Sequence, residues 1–491
     1  MQISLERDNG RRARPVYRQI ADQIRGAIEA RGLARGEKLP PIRELARQLG
    51  VNRDTVALAY ESLARSGLVE STVGRGTFVA ASGLPSGSFE PRVSPLTERV
   101  LAFDRARPRF GTDADAVPMH TVIPDPRLYP VDAFRRALNR ALQDGGPELL
   151  MYGEPQGLPS LRSAIATHQR ELDLDVSPDE LVLCHGASQG IALALRLFAS
   201  PGDVVALEEP TYNNVLAAIA GLGLETAAVP MREDGPDLEV LERTLARPEV
   251  KLLYTIPTFH NPMGTSTSLA HRQALLEVAA RCGKPIVEDA YEADLRIDGR
   301  PVPPLAALDN AGRVVHLASF SKSLFPGVRI GAIAARGRLV DGLLALKQAS
   351  DLSDAMPLQA ALAAFINAGG YAKHLVRLRR VLRGRRNVVL DALAEHLPSG
   401  ARWTRPEGGY QVWVELPDGT DTSELLPDAV ASGVFFAPGA QFYHDRRSSR
   451  HLRLSFATAN EAELRQGVEA LGEVLQRRGA AGARPASRVS I

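Results

Sequence analysis

Across residues 119–476, short apolar runs alternate with stretches of helical periodicity, and this rhythm constrains the fold more than any other feature. LVLCHG leads into a helical stretch at Gln189–Ala199, VVALEEP leads into another, and KLLYTIP and PIVEDAY keep the same order. Strands that alternate with helices pair in parallel, so the fold class is α/β with a mostly parallel sheet. Composition agrees: 44% hydrophobic and 24% charged residues exclude a mainly disordered chain, a collagen-like fibre and a disulfide scaffold. No apolar run reaches the roughly 18 residues that a membrane span needs. The opening MQISLERDNGRRARP lacks the apolar core of a signal peptide, which makes the cytoplasm the expected location.

The rest of the chain differs from this body. Residues 81–118 are rich in Gly, Ser, Pro and Arg and read as a loosely ordered linker between two domains. Residues 477–491 read as a frayed, disordered tail. The expected organisation is therefore a head at 1–80, a linker at 81–118 and a body at 119–476 with a smaller C-terminal subdomain from about 365. Cys184 and Cys282 stand apart with no CxxC or Cys/His spacing, so neither a structural metal nor a disulfide framework is expected. Charge is uneven. Residues 1–80 carry 14 Lys/Arg and 9 Asp/Glu, a net of +5, while the remainder nets −3. A basic head hints at an anionic partner, although charge alone favours the plainer reading of chance in an Arg-rich composition.

Position refines that hint. Val16, Ile20, Ile24 and Ile28 recur every four residues on one helical face, and Gly32 closes that helix. Ile42–Leu49 forms a second helix stopped by Gly50. Asn52 is placed to cap a third, whose apolar face is Val56, Tyr60 and Leu63. Helix, glycine turn and helix make a helix-turn-helix, and GLVESTVGRGTFVA adds a hairpin wing. A recognition helix presents its first residues to base edges, here Arg53, Asp54 and Thr55, while Arg43 opens the preceding helix within reach of phosphate. Arg75, at the Gly-flanked hairpin tip, suits a groove or backbone contact. A bare three-helix interaction module with solvated arginines is the competing reading.

The densest chemical signal is SFSKSLFPGVRIG, residues 319–331. Lys322 follows an apolar strand, lies among Ser319, Ser321 and Ser323, and precedes Arg329 by seven residues. That set suits a Schiff base to an aldehyde cofactor with a phosphate nearby. A lone lysine in such a segment is ordinarily a solvated side chain, so its companions matter. Ala187 and Ser188 follow His185-Gly186 at a strand-to-helix turn that can present N–H groups to phosphate. Asp289 ends a strand where a carboxylate can face a protonated pyridine nitrogen. Tyr291 and Asn261 can donate to a ring oxygen, and Tyr212 can stack on a ring. Each alone has an ordinary structural reading; in this order, each at a strand end, they form one pyridoxal 5′-phosphate site.

Two resemblances sharpen these readings. PVYRQIADQIRGAI, GEKLPPIRELARQLGVNRDTVALAYESLARSGLV and GRGTFV resemble the winged helix-turn-helix of the GntR regulators. This implies DNA contacts at Arg43, Arg53, Thr55 and the wing Gly74, Arg75, Gly76 and Thr77. Pro41 departs from the Ser that relatives often carry. Residues 119–476 resemble the fold-type I aminotransferases. The resemblance implies Lys322 as the cofactor lysine and Asp289 at the pyridine nitrogen. It implies Asn261 and Tyr291 at the ring oxygen, and Tyr212 on the ring face. Ala187, Ser188, Ser319, Ser321 and Arg329 would hold the phosphate. It further implies that Tyr152 in MYGEP reaches the phosphate of a neighbouring subunit, and that Arg453 in HLRLSFA takes a substrate or effector carboxylate. Tyr410-Gln411 stands where relatives often have Met-His, a departure that bears on effector choice. A GntR head on an aminotransferase-like body resembles the MocR-type transcriptional regulators, which implies a head-to-tail homodimer.

The expected function is a regulator that binds promoter DNA and senses pyridoxal phosphate or a small amino compound at Lys322. Two alternatives stay open: a working amino-acid aminotransferase with an appended DNA-binding head, and a DNA-binding protein whose body is only a dimerisation scaffold.

Overall fold

In the computed structural model, residues 3–5, 15–29, 32–34, 36–72, 76–80, 93–105 and 116–482 are described. They divide into two compact units, Met1–Val93 and Ser94–Ile491.

The first unit folds as its periodicity predicts. Helices span Val16–Glu29, Ile42–Leu49 and Arg53–Arg65, and strands Val69–Thr72 and Gly76–Val79 pair in an antiparallel hairpin. Ile20, Ile24, Leu45, Val56 and Leu63 close the core. Gly50 ends the second helix in the left-handed region (φ 62°), where a side chain would strain, and so makes the sharp turn. The Asn52 side chain accepts a hydrogen bond from the Asp54 N–H, the capping bond that starts the third helix. The Tyr60 hydroxyl donates to the Pro40 carbonyl at 2.7 Å, which ties the third helix to the loop before the second.

The second unit is built on an eight-stranded mixed sheet. Its spatial order is Leu181–Cys184, Gly331–Ala334, Val314–Ser319, Ile286–Asp289, Val250–Thr255, Val204–Glu209, Glu225–Arg232 and Gly235–Pro236. The neighbouring pairs from Val314–Ser319 to Glu225–Arg232 run parallel. Gly331–Ala334 runs antiparallel to both of its neighbours, as the short edge strand Gly235–Pro236 does to Glu225–Arg232. Leu181–Cys184 and Gly331–Ala334 are apolar and buried throughout, the pattern of a sheet covered on both faces. A second sheet of four antiparallel strands, including Gln411–Glu415 and His451–Ser455, carries the C-terminal part. The 27-residue helix Gly370–His396 is anchored by ion pairs to the loops around it: Arg385 pairs with Asp125, and Arg386 with Asp298.

Two expectations change. Within the stretch read as a loose linker, Pro95–Arg105 is a helix of the second unit. Val100 lies against Gly221, and Phe103 packs on the core beneath, with the Arg446 guanidinium 4.8 Å from its ring. Leu96 and Phe103 are two turns apart on one face, which the Gly, Ser and Pro on either side concealed. The last helix runs Glu461–Gly482, past the expected start of a frayed tail, because Arg477 reaches Ser432 and Arg478 reaches Asp428.

Candidate cofactor and effector site

Neighbouring parallel strands put the two chemical poles of the site side by side. Leu317 pairs with Asp289, and the chain leaving Val314–Ser319 turns at once into the short helix Phe320–Ser323 that carries Lys322. The Ser319 hydroxyl caps that helix by accepting from the Ser321 N–H at 3.3 Å. Ligands of open α/β sheets bind at such carboxyl ends of strands. Here a cavity of about 200 Å³ opens, lined by Lys322, Asp289, Tyr291, Asn261 and Tyr212 at one end. Ala187, Ser188, Ser319, Ser321 and Arg329 line the other.

The second end is an anion cradle. Ala187 and Ser188 are the first residues of the helix Ala187–Phe198, whose leading N–H groups have no partner within the helix. Gly186 and Gly331 let the backbone close around it: a Cβ on Gly331 would lie 2.9 Å from the Gly186 carbonyl carbon. Arg329 adopts φ 51° and donates to the His185 carbonyl at 2.9 Å, which brings its guanidinium over Gly186. The Ser321 hydroxyl is buried without a partner among the described residues.

At the first end, Asp289 is fully buried. Its Oδ2 accepts from the Tyr254 hydroxyl at 2.7 Å, and its Oδ1 has no partner among the described residues. Burial raises its pKa to about 6 against the Tyr254 bond. Tyr291 accepts from the Gln411 amide at 2.6 Å, and Tyr212 lies nearly parallel to its ring, centroids 6.4 Å apart. The loop that carries Asn261 is clamped. Buried Arg272 donates to Pro257, Thr258, Thr267 and Pro303, and Glu208 accepts from the Ile256 N–H. Asn261 in turn accepts from Arg453 at 3.0 Å. Arg453 also donates to the His120 carbonyl, and its Nε is buried without a partner among the described residues, so donor capacity remains for a carboxylate. Lys322 Nζ donates to the Val122 carbonyl at 2.9 Å. Burial lowers its pKa, with Glu292 opposing and Arg453 and Arg329 reinforcing.

The structure thus gathers every residue the sequence assigned to the cofactor except Tyr152, which is 80% exposed and does not line the cavity. Sequence reasoning passed over Tyr254, Val122 and Glu292. Tyr254 hides in an apolar strand, Val122 contributes only its carbonyl, and Glu292 sits in a charged run that reads as solvated. Gln411, noted only as a departure, holds the Tyr291 hydroxyl. On the head, Arg43 and Arg53 are exposed and Thr55 is half-buried. Gly74 and Arg75 lie outside the described residues. Gly76 opens the second hairpin strand. Thr77 is corrected: strand alternation turns it inward, where its hydroxyl pairs with Ser71 at 2.9 Å.

The residues present fit pyridoxal phosphate. An orphaned buried carboxylate oxygen, a primary amine and a backbone-lined anion cradle share one cavity, and Arg453, which is not among its lining residues, bonds to Asn261 in its wall.

The aminotransferase class I and II family matches residues 124–471. LysN, the α-aminoadipate aminotransferase of Thermus thermophilus solved with N-(5'-phosphopyridoxyl)-L-leucine, superposes with a TM-score of 0.72 at 31% identity. That match covers 79% of this chain and 98% of LysN. Aromatic-amino-acid aminotransferase 1 of Thermococcus litoralis is 36% identical over 74% of this chain and 88% of its own. The second unit therefore has the fold-type I aminotransferase architecture. The bacterial regulatory proteins of the gntR family match residues 16–79. The probable rhizopine catabolism regulatory protein MocR of Rhizobium meliloti is 30% identical over 97% of both chains. The chain belongs to the MocR-type transcriptional regulators, a GntR helix-turn-helix joined to an aminotransferase class I and II domain.

Proposed function

We propose that this regulator binds promoter DNA through its head and senses pyridoxal phosphate, or an amino compound presented to it, at Lys322. The observation that carries the reading is that Lys322, the anion cradle and Asp289, with its Oδ1 unpartnered among the described residues, line one cavity. When bound, the cofactor supplies an aldehyde that condenses with amines and a ring that withdraws electrons once its nitrogen is protonated. The chain's own residues do the rest. Ala187, Ser188, Ser319, Ser321 and Arg329 bind the phosphate. Asp289 keeps a proton on the ring nitrogen, and Asn261 and Tyr291 orient the ring oxygen. Tyr212 covers the ring face, and Arg453 takes the carboxylate of an amino-acid effector. Signalling requires that effector to bind two conformations of the chain unequally. The protein works in the cytoplasm as a head-to-tail homodimer, in which Tyr152 completes the partner's phosphate site.

Adding pyridoxal phosphate to the purified protein gives visible absorbance, which Lys322→Ala loses. Arg53→Ala keeps the absorbance and loses specific promoter binding. Absorbance that survives Lys322→Ala overturns the site, and full operator affinity in Arg53→Ala overturns the recognition helix. The intact catalytic set favours a second reading, an active aminotransferase. Steady turnover of an amino acid with a 2-oxoacid at about 1 per second or faster would establish it.

A further inference from the structure

His185 lies in the turn between the strand Leu181–Cys184 and the helix Ala187–Phe198. Its carbonyl accepts from Arg329 of the anion cradle, while its side chain meets two carboxylates from the loop after the helix Arg338–Gln348. Nε2 stands 3.2 Å from Asp351 Oδ2 and 3.3 Å from Asp354 Oδ1. The three residues each offer a donor atom within 4.8 Å of the others. The Asp354 side chain is 5% exposed, and its Oδ1 accepts no hydrogen bond among the described residues. His185 Nε2 therefore stands at contact distance without aiming a proton at it. The other carboxylate oxygen, Oδ2, is engaged by Lys347 Nζ and Gln359 Nε2, each at 2.8 Å. Gln189 joins the remaining pair: its Nε2 donates to Asp351 Oδ2 at 3.1 Å, and its Oε1 accepts from the His185 N–H at 2.8 Å.

A tetrahedral ion bound at about 2.0–2.1 Å sets its ligand atoms about 3.3–3.4 Å apart. The two distances from His185 Nε2 are close to such edges. A buried carboxylate oxygen without a donor, facing an imidazole nitrogen and a second carboxylate, is costly until a cation neutralises it. We propose that His185 Nε2, Asp351 Oδ2 and Asp354 Oδ1 form a binding site for a divalent transition-metal ion of the zinc class, with water as the fourth ligand. The His185 side chain is 41% exposed, which leaves an entry path for ion and water. Lys347, Gln359 and Gln189 are the outer partners that fix the two carboxylates. The ion clips the turn that opens the anion cradle to the loop at 349–355. A second group, Glu209, His444 and Asp445, is as close together, but its Glu209 oxygens are already taken by His444 Nδ1 at 2.5 Å and Arg447 at 2.7 Å. The expectation of no structural metal rested on cysteine spacing, and this set uses no cysteine. The rival occupant of the gap is a proton, which would make His185 an imidazolium shared by two carboxylates.

The test strips the full chain with a chelator and titrates zinc alone against a chromogenic competitor, with bound metal counted by elemental mass spectrometry. The parent should hold one zinc ion per chain. His185→Ala and Asp351→Asn should each weaken it by at least about tenfold, the loss that even an outer partner's removal causes. His444→Gln should bind zinc as the parent does. Cobalt in place of zinc should give the parent the intense visible bands of a tetrahedral centre, which His185→Ala lacks. Should either variant fail to fold, the parent alone carries the test: zinc should protect His185 from diethyl pyrocarbonate, scored by peptide mass spectrometry. A parent that binds zinc no more tightly than His185→Ala, or a His185 that zinc does not protect, overturns the site and leaves the shared imidazolium. Loss of the ion in His444→Gln but not in His185→Ala overturns it as well, because the metal then belongs to the other group.

Discussion

Asp289 shows how far a single residue could be read. Its type and its place at a strand end announced a carboxylate for a ring nitrogen. Its electrostatic state came from burial and from Tyr254, which arrives from the adjacent strand Val250–Thr255. With a folded pKa of about 6 against 3.8, the folded chain holds a proton that the unfolded chain releases. Stability therefore falls as pH rises from about 4 and levels off above about 6, a loss of about 3 kcal/mol in the cofactor-free protein. Asp289→Asn, which never ionises, should melt above the parent at pH 7–8 and converge with it toward pH 4, while losing pyridoxal phosphate uptake. Thermal unfolding across that pH range checks it; a variant that melts below the parent at every pH sinks the account. Glu292 was illegible for a different reason. In EDAYEADLR it looks like one more solvated charge, and only the packing of Gly409 and Tyr410 against it buries it.

Elements with their own punctuation were legible. The third helix of the head begins at Arg53 because Asn52 satisfies an N–H that the helix leaves open. Asn52→Ala should cost about 1 kcal/mol in the head's unfolding and leave that of the body unchanged. Calorimetry resolves the two, and an equal shift in both transitions would contradict independent units. The helix Pro95–Arg105 is the counter-example. Its apolar positions are few, and its stability comes from the surface it lies on, where Arg99 reaches the Leu224 carbonyl and Glu225. Local propensity says little about such a helix, because tertiary packing supplies most of helical stability.

At the scale of the molecule, the charge split now has a use. Arg43 and Arg53 stand exposed on adjacent helices of the basic head. Two cations of the slightly acidic body, Arg453 and Arg272, are instead buried in its interior, while exposed Arg329 closes over Gly186. Tyr152 remains outside its own cavity, with Leu150 and Met151 exposed beside it. If two copies share their sites, Tyr152→Ala and Lys322→Ala should each weaken or abolish cofactor retention alone. Mixed pairs should then regain one intact site, since the Tyr152→Ala copy receives Tyr152 from its Lys322→Ala partner. Dialysis of mixed and unmixed samples checks this, and no gain on mixing would overturn the shared site.

The amino-acid sequence by itself determined the strand-and-helix rhythm, the helix-turn-helix and the roster of groups around Lys322, because each is written in local spacing and residue type. Tertiary structure alone decided which groups are buried together. It put Tyr254 on Asp289, Gln411 on Tyr291 and Asn261 on Arg453, and it turned Thr77 onto Ser71. Most of these partners lie far apart in the sequence and meet only when their strands and loops assemble. Burial removes the water that would otherwise mask their charges, so their chemistry exists only once the chain has closed around them.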